Sequence, residues 1–332
     1  MPFFEVIGHA RPLGLLTRSI ARGSLPPSLL FTGPEGVGKR LVARAVAEAL
    51  NCLSPANGEA CGACGACRRI AKGTHPDVMA IEAPDAGAIK IESIRSAIAA
   101  TAYKPFEGRC RVVIIDEAER LVDAAESALL KSLEEPPAAS VFILVTSRPE
   151  MLLATIRSRC SQLRFGRLAA ADVARLLTER HGVPADEAHA IAAVADGSPG
   201  RALEAGSNAY RDARAAALSA LQTAARATSP KTKLQAAAGL MANKPSSAGE
   251  REELATRITM LASLFRDLAL VSHGGGPGEL ANGDLADELG ELGAAFDSER
   301  ALRAFAAADR AVAALRRNAS PKIVAAWLSV HI

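Results

Sequence analysis

The sequence predicts an α/β fold built on a phosphate-binding loop and a parallel sheet, followed by an all-helical remainder. Three observations support this. A short apolar run, Leu29-Leu30-Phe31, enters the glycine-rich turn Gly33-Pro34-Glu35-Gly36-Val37-Gly38-Lys39, and a helix-forming segment with Val42, Val46, Ala49 and Leu50 on one face follows. Continuous apolar runs at 112–115 and 141–145 read as buried parallel strands, the first ending in Asp116-Glu117 and the second in Thr146-Ser147. Beyond Gly166 no strand pattern is convincing, and alanine-rich helical segments take over.

Length and composition set the outer limits. A chain of 332 residues has room for two or three domains and an ample core. No apolar run approaches the roughly 18 residues of a membrane span, and the N-terminus lacks a basic-then-apolar signal, so the expectation is a soluble, cytoplasmic protein with no membrane partner. A net charge of +3 is near neutral, so nucleic-acid contact would have to come from a local patch. Aromatic residues are only 4% of the chain, which argues against base-stacking modules.

Residues 1–28 hold Val6-Ile7-Gly8-His9, an apolar-periodic segment near Leu13–Ile20, and Pro26-Pro27. Two readings stay open for them: a segment packed beside a nucleotide base, or a first helix covering the sheet. In the loop itself, Gly33, Gly36 and Gly38 let backbone N–H groups converge on an anion at a helix N-terminus, and Lys39 is placed to reach β/γ-phosphates. The full pattern requires Ser or Thr next, whose hydroxyl holds Mg²⁺; here the residue is Arg40. The helix after the loop leads into Cys52, Cys61, Cys64 and Cys67, two successive CxxC spacings plus a fourth thiol. In a cytosolic chain this set favours a structural Zn²⁺ over disulfides or unligated thiols, because four protein ligands leave no open position.

Asp77–Ile81 reads as a strand introduced by His75-Pro76, with His75 a turn residue rather than a ligand. A helix is expected over Glu92–Ala100, and a turn at Lys104–Gly108. Cys110 is expected to pack in the core. At the end of 112–115, Asp116 would act through a Mg²⁺ shell and Glu117 would polarise a water; downstream of a P-loop this outweighs the reading as solvated acids. One helix is expected from about Ala118 to Glu135, stopped by Pro136-Pro137. Thr146 is placed to sense a γ-phosphate, and a last strand is expected at Gln162–Phe165. Short helices follow at Asp172–Arg180, Ala185–Ala195 and Ser198–Ala205, the third with Ser198 as N-cap and Pro199 in its first turn. The helical region beyond 209 is interrupted at Lys244–Gly249 and at Ser272–Gly278.

Taken together, GPEGVGKR at 33–40, the four cysteines, VVIIDEAERL at 112–121, ALLKSLEEPP at 128–137, TIRSRC at 155–160, DGSPGRAL at 196–203 and LRRNASPK at 315–322 resemble the bacterial clamp-loader AAA+ family. The resemblance covers nearly the whole chain and is strongest over 29–203. It implies a RecA-like AAA+ P-loop domain (1–166) with a zinc-binding insertion (52–67), a three-helix lid (167–207) and an all-α collar domain (208–332). Within the family the chain is similar to the delta-prime branch. In the motor branch (gamma/tau) the loop ends in Lys-Thr, and an arginine occupies the lid position that here is Gly200, with Arg201 about 100° further around the helix.

The resemblance implies a stator in a hetero-pentamer with motor (gamma/tau) and delta subunits, which loads the sliding clamp onto primer-template DNA. Arg159 of the Ser-Arg-Cys segment would serve a neighbouring subunit's ATP. Arg40 and Gly200 lead to an expectation of weak or no ATP/Mg²⁺ binding in this chain's own site and negligible hydrolysis. Two alternatives are an ATP-hydrolysing motor subunit, favoured by Lys39, Asp116 and Glu117, and a P-loop small-molecule kinase with a zinc insertion. The kinase would need a hydroxyl at position 40 and leaves the helical third unexplained.

Overall fold

The structure, a computed structural model, describes residues 2–84, 87–205, 208–227, 229, 232, 239–241, 250–276, 279–293, 295–317 and 319–332. The expected interruption at Lys244–Gly249, positions 277–278 of the second interruption and Asn318 lie outside the described residues.

The chain divides into two compact units, one of residues 1–172 with 198–200, the other of 173–197 with 201–332. In the first, strands β1 (Ser28–Thr32), β2 (Val78–Ile81), β3 (Arg111–Ile115), β4 (Ser140–Thr146) and β5 (Ser161–Arg164) form one sheet in the order β2-β3-β4-β1-β5. Every neighbouring pair is parallel. The unalternating apolar runs are explained by burial on both faces: all five residues of β1 and all seven of β4 are buried. One face packs Leu30, Val113, Ile115, Phe142 and Leu144 against helices α4 (Ile91–Thr101) and α5 (Asp123–Glu134). Helix α2 (Lys39–Asn51) follows the loop and buries Val42, Val46 and Ala49. Helices α1 (Ala10–Ala21), α3 (Gly65–Ala71) and α6 (Ala154–Arg159) complete the unit.

The register brings the C-terminal ends of the strands together. Thr32 pairs with Thr146 and Ile115 with Leu144, so the glycine loop, Asp116-Glu117 and Thr146-Ser147 share one edge, where ligands bind in open α/β sheets.

One sequence expectation is corrected. The segment from Ala118 is not a single helix: a 3₁₀ turn spans Ala118–Arg120 and α5 begins only at Asp123. Between them the chain extends, because Ile89 N–H donates to Arg120 O and Val122 N–H donates to Ile89 O, a bridge that competes with helical hydrogen bonding. The end at Glu134, before the two prolines, falls where expected.

The helices after the sheet are α7 (Ala170–His181), α8 (Ala185–Val194), α9 (Pro199–Ala205), α10 (Asn208–Ala225), α11 (Glu250–Ser272), α12 (Ala286–Leu292), α13 (Ser298–Arg316) and α14 (Pro321–His331). Among its described residues the second unit contains helices and their connections and no strand. Ile258, Leu261, Phe265 and Leu268 of α11 are buried, as are Ala301, Ala304 and Ala308 of α13, and alanine lets the backbones approach closely. Buried Asp267 accepts from the backbone N–H of Ala281 and Asn282 at 3.1 and 2.8 Å, fixing the turn before α12.

Candidate functional site: a P-loop edge and a four-cysteine cluster

The loop has phosphate-loop geometry at its glycines. Gly33 sits at φ +142°, and a Cβ there would meet Phe165 O at 2.1 Å, so only glycine fits. The N-terminal segment packs beside this loop: His9 Nε2 lies 2.7 Å from Val37 O, and its ring meets Phe165 edge-on at 5.1 Å. Gly200 N–H donates to Gly36 O at 2.8 Å and the Ser198 hydroxyl to Glu35 O at 3.0 Å. A Cβ at Gly200 would lie 2.8 Å from the Gly36 Cα, so the position could not carry a side chain in this arrangement.

The charged side chains of this edge are engaged with the protein itself. Lys39 is buried, and its Nζ donates to Gly33 O at 2.8 Å and Pro34 O at 2.6 Å. Burial lowers its pKa against the upward pull of Glu119, Asp116 and Glu35. Arg40 pairs with Glu82 and, at 3.5 Å, with Asp116 Oδ2. Burial raises the Asp116 carboxyl pKa; the Glu117 N–H and the Arg40 charge pull it back without cancelling the shift. Glu117 adopts a left-handed backbone, φ 48°, and turns its carboxylate onto Arg120 at 2.7 Å. Thr146 is buried, and its Oγ1 accepts from the Arg148 N–H at 3.0 Å.

A Mg²⁺-nucleotide does not fit this arrangement well. The hydroxyl that would ligate the metal is absent, and the strand-end carboxylate Asp116 already faces a guanidinium.

Arg159 ends α6. Its NH2 group lies 3.2 Å from Glu134 Oε2 and its NH1 donates to Thr155 O at 3.3 Å. Both members of the ion pair are partly exposed.

The four cysteines converge. The Sγ atoms of Cys52, Cys61, Cys64 and Cys67 all lie within 4.8 Å of one another. A tetrahedral thiolate site with Zn–S of about 2.3 Å has edges of about 3.8 Å, so this set fits such a metal. Backbone N–H groups of Cys61, Cys64 and Cys67 point at the sulfurs of Cys52, Cys61 and Cys64, as donors that stabilise thiolates do. For Cys64 burial acts upward, but N–H groups of Cys67 and Leu53 and the neighbouring thiols outweigh it and hold the thiol at about 6. Cys110 stands apart and buried, pushed up to about 11 by burial, the inert thiol the sequence suggests.

The cysteine loop and the segment that follows it are tied to the core by polar groups. Arg109 donates to Leu50 O and Cys52 O, and Asn51 spans Arg109 and Cys110. Asp77, fully buried, accepts from the N–H groups of Phe106, Glu107 and Gly108 and from Arg111. His75 is a turn residue: its Nδ1 accepts from the Asp77 N–H at 3.2 Å.

Sequence reasoning assigned no role to Glu82, Glu119 and Glu134. Glu82 follows the edge strand β2, and only the β2-β3 neighbour relation places it beside Asp116 and Arg40. Glu119 is close in sequence to Glu117, but it lies in the 3₁₀ turn that replaces the expected helix, with its carboxylate on Ser147.

Known proteins resemble the N-terminal half most. The family model described as "DNA polymerase III, delta subunit" matches residues 8–169. DNA polymerase III subunit tau of Escherichia coli (strain K12) is 38% identical over 163 residues, covering 49% of this chain and 25% of that protein. DNA polymerase III subunit delta' of Pseudomonas aeruginosa is 37% identical over 191 residues, covering 56% of this chain and 57% of that protein. The chain therefore spans between about a quarter and three-fifths of the length of these relatives. A solved Thermotoga maritima RuvB Holliday junction branch migration motor overlays with a TM-score of 0.44 at 20% identity, covering 87% of this chain and 88% of that one, a likeness too loose to bear on function. The P-loop edge and the Ser-Arg-Cys segment of this chain both lie within the stretch that is similar to these DNA polymerase III subunits.

Proposed function

We propose that this chain is a delta-prime-like stator of a DNA polymerase III clamp loader: a ring subunit that is catalytically silent at its own P-loop and lends Arg159 to a neighbour's ATP site. The observation that carries the silent-site half is the Arg40 guanidinium, paired with both Asp116 and Glu82 where a motor would need a hydroxyl and a free carboxylate. Arg159 carries the other half by position. It ends a short helix just before the edge strand β5, with its guanidinium partly exposed. A guanidinium is always charged and can bind two phosphate oxygens at once, so it suits stabilisation of the charge that develops in γ-phosphoryl transfer.

In this reading residues 1–166 form the AAA+ domain, 167–207 the lid and 208–332 the collar through which motor (gamma/tau) and delta subunits assemble. Cys52, Cys61, Cys64 and Cys67 hold one Zn²⁺, which locks the insertion as four thiolate ligands do. The sliding clamp and primer-template DNA are partners through the complex, in the cytoplasm.

A second reading, a gamma/tau-like motor, is favoured by the identity to tau and by the retained Lys39. One experiment separates the two. The purified chain is assayed alone for Mg²⁺-ATP binding and turnover, then mixed with gamma/tau and delta subunits and assayed for clamp loading. The stator binds ATP weakly or not at all, turns over nothing and still completes a loading complex. Turnover by the isolated chain that Lys39→Ala abolishes would establish the motor instead.

A further inference from the structure

The P-loop pattern asks for Lys39 and for carboxylates at the end of β3; it does not ask for Glu119. Yet Glu119 is the acid most deeply set in this edge, its side chain only 5% exposed. Its Oε1 accepts from the Ser147 hydroxyl at 2.6 Å and from the Ser147 N–H at 3.3 Å, and Arg148 Nε lies 3.8 Å away. Oε2 is buried with no hydrogen-bond partner among the described residues. A buried carboxylate oxygen without a donor is costly, so its presence needs an explanation.

We propose that Glu119 is the residue that bars phosphate from this loop: its carboxylate engages Ser147 at the end of β4, beside the end of β1 that leads into the loop, where the terminal phosphates of a nucleoside triphosphate would otherwise settle. A polyphosphate brought to the loop would meet a fixed anion in a poorly solvated site, where like charges repel far more than in water. The cation that should attract it, Lys39, already donates to Gly33 O and Pro34 O. Arg40 is the counterpart on the metal side, since its guanidinium faces the Asp116 and Glu82 carboxylates. The edge is thus neutralised from within in both signs. This inference rests on the silent-site reading above and adds the residue that keeps phosphate out.

The test uses the full purified chain and two probes, inorganic tripolyphosphate and Mg²⁺-free ATP, followed by isothermal titration. Glu119→Gln keeps the size of the side chain and its acceptor oxygen for Ser147 while removing the charge. The expected result is at least a tenfold gain in affinity for both probes over wild type, about 1.4 kcal/mol, which Lys39→Ala in the Glu119→Gln background removes. Equal, weak binding by wild type and Glu119→Gln at an unchanged melting temperature would overturn the role of Glu119 and leave the silent-site reading standing. A gain that survives Lys39→Ala would also overturn it, because phosphate would then be settling elsewhere. Tight Mg²⁺-ATP binding by the wild-type chain would overturn both. If Glu119→Gln does not fold, Glu119→Ser, too short to reach across to Ser147, carries the same comparison.

Discussion

Replacing Arg159 by alanine separates a structural arginine from one that works on a neighbour, because the two roles differ greatly in magnitude. In the free chain the guanidinium holds Glu134 at 3.2 Å and Thr155 O at 3.3 Å, with the two ion-pair side chains 33% and 59% exposed. An ion pair so exposed contributes about 0–1 kcal/mol after solvent screening. A purely structural Arg159 would therefore shift the melting temperature by a few degrees at most. An arginine finger is worth on the order of 10³–10⁵ in rate, or about 4–7 kcal/mol of transition-state stabilisation. The assay reconstitutes the ring with gamma/tau and delta subunits, checks assembly by native mass spectrometry, and measures clamp- and DNA-stimulated ATPase together with clamp loading. Arg159→Ala is expected to assemble normally, to lose the turnover of the one site it serves while the other sites continue, and to load clamps poorly. Arg159→Lys is expected to share most of the defect, since an ammonium keeps the charge but not the two-pronged geometry. Wild-type ATPase and loading by an assembled Arg159→Ala ring would refute the trans role and leave the pair with Glu134 as the whole explanation.

Three further outcomes are expected. Arg40→Thr supplies the missing hydroxyl and releases Asp116, so Mg²⁺-ATP affinity should rise at least about tenfold; no gain in calorimetry would show that Arg40 is not the obstacle. The chain should carry one zinc by elemental analysis, and Cys64→Ala should lose it, with faster hydrogen exchange confined to the cysteine loop and α3 while the sheet stays protected. Asp77→Asn should destabilise the first unit by about 2 kcal/mol near neutral pH, because three backbone N–H groups and Arg111 hold the buried carboxyl down to about 2, below the usual aspartate value, against the upward effect of burial. A depressed pKa stabilises the fold above the unfolded-state value and the contribution fades as pH falls from about 4 toward 2, so the gap in melting temperature between wild type and variant should close over that window. A gap that stays constant through it would refute the assignment.

What the sequence determined by itself is local chemistry. The spacing of Gly33, Gly36, Gly38 and Lys39 prescribes a strand, a turn and a helix, because that turn needs a glycine wherever another chain segment crowds the backbone, as Phe165 O does at Gly33. The two CxxC spacings placed four sulfurs within reach of one ion, and unbroken apolar runs marked strands covered on both faces. Arg40 was readable as a defect for the same reason: the missing hydroxyl is a property of one position.

Its consequence was not readable, because the partners of Arg40 come from two different strand ends. Glu82 and Asp116 face it only once β2 and β3 lie side by side, and Glu119 sits in a 3₁₀ turn rather than the expected helix, with its carboxylate on Ser147 from the end of β4. Charges that are far apart in sequence meet through sheet order, and a carboxylate's partners and burial follow from packing rather than from residue type. The sequence named a phosphate loop, and the tertiary structure decided that its charges answer one another.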